Sequence, residues 1–301
     1  MTFTLLVLVT GVRKGIELGS KIMMPLLLFL LVILVIKGLT MSGAKPALRF
    51  LFTPNWSDMT PKGMLMALGQ AFFTLSLGQG TMITYGSYLS RNENVPRSCW
   101  PVVILNTCIA LLIGIAVFSI VYSTSYQPQI GPALIFETLP LVFAQLPWGY
   151  SLSILFFTLV VLAALTSEVS ALEPVIAYLT DEKNWSRKKA VRVSCLGAFL
   201  LGIPSALSFG LLKNMTVGQQ TFFDLISSLS VNILVPLGGL FAVILLAWRW
   251  GMAAAFDNLK IGASSFQRHD RHFVKAYFYI TIKYLAPLLI CFILLNVLGI
   301  F

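Results

Sequence analysis

The chain has 301 residues, 57% hydrophobic and only 11% charged, with 21 Lys and Arg against 11 Asp and Glu for a formal net charge of +10. Soluble domains carry about 25% charge, and the apolar residues here fall in runs of about 20, long enough to cross a bilayer, so a soluble globular enzyme is excluded. The basic residues are spread over loops between apolar segments and make no continuous basic face, which argues against a nucleic-acid partner and makes them markers of topology.

In chain order, Met1 to Thr10 is apolar but too short to span, and ends at Gly11 with Arg13 and Lys14 behind it. It has no basic region before it and no small-residue cleavage site after it, so it reads as the tail of a membrane helix, not a signal peptide. A spanning helix is predicted from about Ile16 to Leu39, kinked at Pro25. Thr40 to Pro61, with Pro46, Pro54, Asn55 and Trp56, reads as an interfacial loop with short helical turns. Met64 to Leu89 spans next, broken at Gly78-Gln79-Gly80, and Val95 to Tyr122 follows. Pro132 to Leu139 and Leu141 to Leu146 are each too short to cross, and predict a re-entrant or lid-like hairpin on the membrane surface. Tyr150 to Leu179, Ala190 to Leu207, Gly218 to Trp248 and Phe273 to Leu298 complete seven spans.

Threaded through these spans, fifteen basic residues fall on one side, among them Arg91, Arg97, Lys183, Arg187, Arg249, Arg268 and Arg271. Five fall on the other, Lys37, Lys45, Arg49, Lys62 and Lys213, with Lys283 left inside the last helix. The side with fifteen is cytoplasmic. No basic residue lies between Arg97 and Lys183, as an extracytoplasmic hairpin between Tyr122 and Tyr150 requires. The expectation is an all-α polytopic protein, multi-pass in the plasma (inner) membrane.

Cys99, Cys108, Cys195 and Cys291 lie in or beside apolar helices without a CxxC pair and read as buried small apolar residues. The two histidines, His269 and His272, share a basic loop, so no Ser-His-Asp or Cys-His arrangement can assemble in the membrane, and enzymatic hydrolysis is not expected. The informative segment is Gly69 to Gly80. Glycines at 78 and 80 weaken a helix at the bilayer midplane and free backbone groups that must face a cavity, a ligand or an ion. Interrupted helices bind ions with loose carbonyls and substrate at the exposed helix end; glycines that merely allow close packing are the alternative. Asn106 and Thr166-Ser167 place neutral oxygens in mid-helix. These are either interhelical hydrogen bonds or the hard ligands an alkali cation takes. Glu168 is costly to bury, so it should face the interior and be paired, and a proton-coupling role is open to it.

These residues resemble the neurotransmitter:sodium symporters, particularly the bacterial members. The resemblance rests on Lys14-Gly15-Ile16-Glu17 with Lys21 to Pro25, on Gly69 to Tyr85, on Thr138-Leu139-Pro140, and on Leu165-Thr166-Ser167 leading to Pro174 to Leu179 and Asp181-Glu182. It implies the LeuT-type fold of two inverted five-helix repeats, coupling sodium entry to uptake of amino acids or related amines. By resemblance, Thr74 and Asn106 are ligands of a first sodium ion, and Thr166 and Ser167 with the Ala163 carbonyl of a second. Phe73, Thr74, Ser76, Gln79, Ser167 and Ala171 match the substrate-pocket wall, Asp224 the acid of an outer gate, and Tyr88 and Asp181 inner-gate residues. Gln79 and Ala171 stand where the family often has aromatic and larger side chains. Chloride-independent members carry an acid four residues after the Asn106 position, where this chain has Ala110, so a chloride requirement or a substitute acid such as Glu168 stays open.

The resemblance also places Met1 within the family's fourth helix. It implies an incomplete fold: a remnant of helix 4, then helices 5 to 11, with the second repeat complete. Residues 1–301 form a single transmembrane domain on this reading, 1–39 ending the first repeat, 62–248 the second repeat, and 272–301 the last helix. Without the broken first helix the chain is expected not to transport, as the product of a wrong start, a pseudogene or a fragment. A non-transporting membrane scaffold or regulatory fragment, and a proton-coupled carrier of the same fold, are the competing expectations.

Overall fold

At bilayer depth every backbone N–H and C=O must find its partner within its own segment, and the apolar runs accordingly fold as helices. The computed structural model describes residues 1–90, 92–124, 126–129, 131–212, 214–216, 218, 220–262 and 272–297. Of the residues used above, Arg91, Lys213, Arg268, His269, Arg271 and Leu298 lie outside this set. Among the described residues six helices are long and apolar enough to cross a membrane: α2 (Lys14–Leu39), α6 (Val95–Val121), α8 (Gly149–Asp181), α9 (Arg187–Leu207), α10 (Phe222–Leu259) and α11 (Lys275–Val297). Between them stand the shorter α1 (Thr2–Val9), α3 (Ala44–Phe52), α4 (Pro61–Thr74), α5 (Thr81–Ser87) and α7 (Leu134–Gln145). The protein is an integral, multi-pass helical membrane protein. The seventh predicted span is the pair α4 and α5, which fails to count as one helix because it is interrupted.

Three boundaries differ from the sequence expectation. The interfacial loop contains a true helix, α3, whose Ala47 is fully buried. The two short hairpin pieces are one helix, α7, in which a π-helical turn over Leu134–Thr138 leads into the α-helical part Leu139–Gln145, and Pro140 opens that part, where its missing N–H costs little. α10 starts at Phe222, not Gly218, where Thr221 and Asp224 form a reciprocal capping box, and runs past Trp248 to Leu259. The cysteines are a correction: only Cys195 is buried, while Cys99, Cys108 and Cys291 are exposed on outward helix faces.

The chain divides into two compact units, Met1–Trp56 with Leu105–Ser170, and Ser57–Ile104 with Ala171–Phe301. In the first, α2 offers Leu27, Leu30, Leu31, Leu34 and Val35 at helical spacing to a core shared with Ile120 and Val121 of α6, Val142 and Phe143 of α7, and Leu152, Phe156 and Leu159 of α8. Phe143 and Phe156 lie 5.8 Å apart by ring centroids. α2 ends where Gly38 packs on Ala116 and Ser119, and the Gly43 amide donates to Ser123 Oγ at 3.1 Å. In the second unit, α10 packs along α11 and α4, with Ile290 and Ile293 of α11 buried.

Candidate functional site

The break between α4 and α5 is built by the sequence Leu75 to Gly80. α4 closes in a Schellman turn, Leu77 N–H donating to Phe72 O at 3.1 Å and Ser76 N–H to Phe73 O at 2.9 Å. Ser76 takes the left-handed position of that turn, φ 54, where glycine is the unstrained residue, at a cost of about 1 kcal/mol. Gly78 (φ 79) and Gly80 (φ 80) carry the chain onward, and the helical ladder resumes when Thr84 N–H donates to Gly80 O at 2.9 Å.

This linker lies against α10, backbone to backbone. A Cβ on Gly78 would collide with the Val235 carbonyl and stand 2.8 Å from the Gly239 amide; one on Gly238 would collide with the Gly78 carbonyl, and one on Gly239 with the Phe72 ring. Sequence reasoning found Gly78 but not its counterpart. The signal was present in Pro236-Leu237-Gly238-Gly239, a second glycine pair inside an apolar span. Around the break, Phe73 and Thr74 are exposed and Ser76 and Gln79 half-buried, with Thr74 Oγ1 donating to Ala71 O at 3.2 Å. Ala171, also in this unit, is exposed on α8.

The other predicted oxygen donors belong to the first unit. Thr166 Oγ1 donates to Ala163 O at 2.9 Å, so a hydroxyl and a carbonyl converge one turn apart on α8, while Ser167 is exposed and Asn106 half-buried on α6. Neutral oxygens at this separation are the donor type a hard monovalent cation takes; among the described residues no cluster of His, Cys, Asp and Glu suits a softer metal. Glu168, on the next residue, accepts from Thr4 Oγ1 at 2.7 Å, which gives the intramembrane carboxylate the partner its position demands.

Of the predicted gate residues, Tyr88 is joined to Glu173: the phenol donates to Glu173 Oε1 at 2.9 Å. Glu173 is fully buried and held in a two-pronged ion pair by Arg187, with Nη1 to Oε1 at 3.0 Å and Nη2 to Oε2 at 2.8 Å. Neither Glu173 nor Arg187 was singled out from sequence, although an acid at position 173 of an apolar span carries the same signal as Glu168. Asp181 is exposed at the end of α8, accepting from Thr180 Oγ1 at 3.3 Å. The Asp224 carboxylate accepts from Thr221 Oγ1 at 2.7 Å and from the Thr221 amide at 3.2 Å, serving the start of α10.

A sequence profile described as the Sodium:neurotransmitter symporter family matches residues 1–300. The chain belongs to this symporter family. It is 39% identical over 300 residues to an uncharacterized sodium-dependent transporter, YhdH, of Bacillus subtilis (strain 168), spanning all of this chain and 65% of that protein. It is 35% identical over 292 residues to an uncharacterized sodium-dependent transporter of Haemophilus influenzae, spanning 97% of this chain and 62% of that one. The crystal structure of MhsT in complex with L-phenylalanine superposes with a TM-score of 0.86 at 38% identity, covering 99% of this chain and 66% of MhsT. The fold is therefore of the LeuT type. This symporter-family chain thus spans just under two thirds of the length of these relatives.

Proposed function

We propose that this chain serves the sodium-coupled uptake of an amino acid or related small solute by alternating access. The observation that carries the reading is the helix break: three left-handed positions within five residues, Ser76, Gly78 and Gly80, open the backbone within a membrane span, in a chain of the symporter family. The names of the relatives, sodium-dependent transporters, support sodium as the coupling ion.

On this reading Thr74 and Asn106 are each sodium ligands, and the Ala163 carbonyl, Thr166 and Ser167 form a sodium site on α8. Sodium would take the oxygens that now bond each other at Ala163 and Thr166. Phe73, Thr74, Ser76, Gln79, Ser167 and Ala171 wall the substrate. Tyr88 and Asp181 serve an inner gate and Asp224 an outer one, each releasing its present partner to do so.

The test is uptake of radiolabelled amino acids into vesicles containing the protein, under an inward sodium gradient at fixed pH. Uptake that vanishes when choline replaces sodium supports the reading. Uptake that survives in choline and follows a proton gradient overturns it in favour of coupling through Glu168, and no uptake under either gradient returns to the expectation of a chain that does not transport, as an inactive fragment or a scaffold.

A further inference from the structure

The second unit contains an apolar cavity of about 520 Å³ that no residue of the helix break or the oxygen sets lines. Its size falls in the range of about 300–1,000 Å³ that small-molecule sites occupy. α10 bends at Gly251, φ 92, and the bend brings Leu246 and Trp250 before it, and Phe256 after it, onto one cavity. The cytoplasmic start of α6 supplies Trp100, and α11 supplies Phe278 and Ile282.

Cations stand next in sequence to lining residues on each wall: Arg97 after Pro96, Arg249 before Trp250 and Lys283 after Ile282. Arg249 also lines a shallower groove that shares Leu246 and Trp250 with the cavity. Lys283 reaches back a full turn toward the cytoplasmic start of α11, Nζ donating to Tyr279 Oη at 2.8 Å over the Tyr279 ring, the snorkelling geometry of a lysine in a membrane helix. None of these three cations forms an ion pair among the described residues. Of the acids nearest in sequence, Asp257 is already engaged within the protein, and Glu93 precedes the first lining residue of α6.

We propose that this cavity holds an acyl chain of an anionic phospholipid of the cytoplasmic leaflet, with its phosphate drawn to Arg97, Arg249 and Lys283. An apolar cavity in a membrane-spanning unit takes any acyl chain; cations that form no ion pair with a carboxylate of the described residues select the charged lipid. Tryptophans at positions 100 and 250 make the site observable, because brominated acyl chains quench indole fluorescence on contact.

The experiment reconstitutes the chain in phosphatidylcholine vesicles containing a small, equal fraction of brominated phosphatidylglycerol or brominated phosphatidylcholine. The expected result is at least twofold more quenching by the anionic lipid. That excess should disappear in the Trp100→Phe/Trp250→Phe variant and fall in Arg249→Gln/Lys283→Gln, with helical content checked by circular dichroism. Equal quenching by the two lipids in the unaltered chain overturns the proposal. So does an excess that survives loss of both tryptophans, and so does the absence of quenching by either lipid, the outcome if a second copy or another protein helix fills the cavity.

Discussion

In the unit of Met1–Trp56 and Leu105–Ser170, α2, α6, α7 and α8 meet across leucine, isoleucine, valine and phenylalanine side chains, with Leu31, Leu34, Ile120 and Leu139 almost wholly buried. In the unit of Ser57–Ile104 and Ala171–Phe301, the decisive contacts are of another kind. Gly78 lies on Gly238 and Gly239, and a buried Glu173 holds Arg187 and Tyr88. The difference teaches where specificity comes from in a bilayer. Lipid tails are as apolar as leucine, so moving a leucine from lipid to protein gains packing but no hydrophobic transfer energy. A buried carboxylate without its partner, or two backbones forced apart, has no such cheap alternative. The first unit rests mainly on many interchangeable apolar contacts, beside the close approach of Gly43 to Ser119 and the Thr4–Glu168 bond, while the second turns on a few that are not interchangeable.

The contrast ranks the effects of substitution. Arg187→Met strands the fully buried Glu173 and should cost about 3–5 kcal/mol. Thermal unfolding in detergent micelles reads it as the largest loss in the series, and Glu173→Leu combined with Arg187→Met should recover most of it. Recovery would show that the penalty lies in the lone charge and not in lost packing. Next comes Gly78→Val, which sets a branched side chain at positive φ against the Val235 carbonyl, for about 2–4 kcal/mol and a loss of monodispersity on size-exclusion chromatography. Leu34→Ala in the first unit should cost only about 1–2 kcal/mol, below the 2–5 of a water-soluble core, because the transfer part of that penalty is absent. If Leu34→Ala proves as damaging as Arg187→Met, the contrast between the units collapses. The smallest effect has the opposite sign: Ser76→Gly relieves the left-handed strain and should stabilise by about 1 kcal/mol or less, measured in the same melts.

Seven apolar runs, the break near Gly78 and the family were legible in the sequence because each rests on local composition: hydropathy, glycine inside a span, short motifs. What was hidden depends on which residues meet across helices. Gly238-Gly239 looked like ordinary small residues until Gly78 was laid upon them. Glu173 and Arg187 are fourteen positions apart, across a helix end, and nothing local in either announces the pair. Tyr88 was named by resemblance as an inner-gate residue without a partner in this chain, and only proximity across helices joins it to Glu173. The cysteines misled because the interior and the lipid-facing surface of a membrane protein share one composition, so an apolar sequence context does not imply burial.

The claim that Asn106 of α6 is a sodium ligand can be tested without knowing the substrate. Cys108 is exposed on α6, two residues beyond Asn106. Its alkylation rate, followed by site-resolved mass spectrometry in vesicles, should fall when sodium replaces choline at constant ionic strength, and the Asn106→Ala variant should abolish that difference. Equal rates in sodium and choline for the unaltered chain would contradict the account.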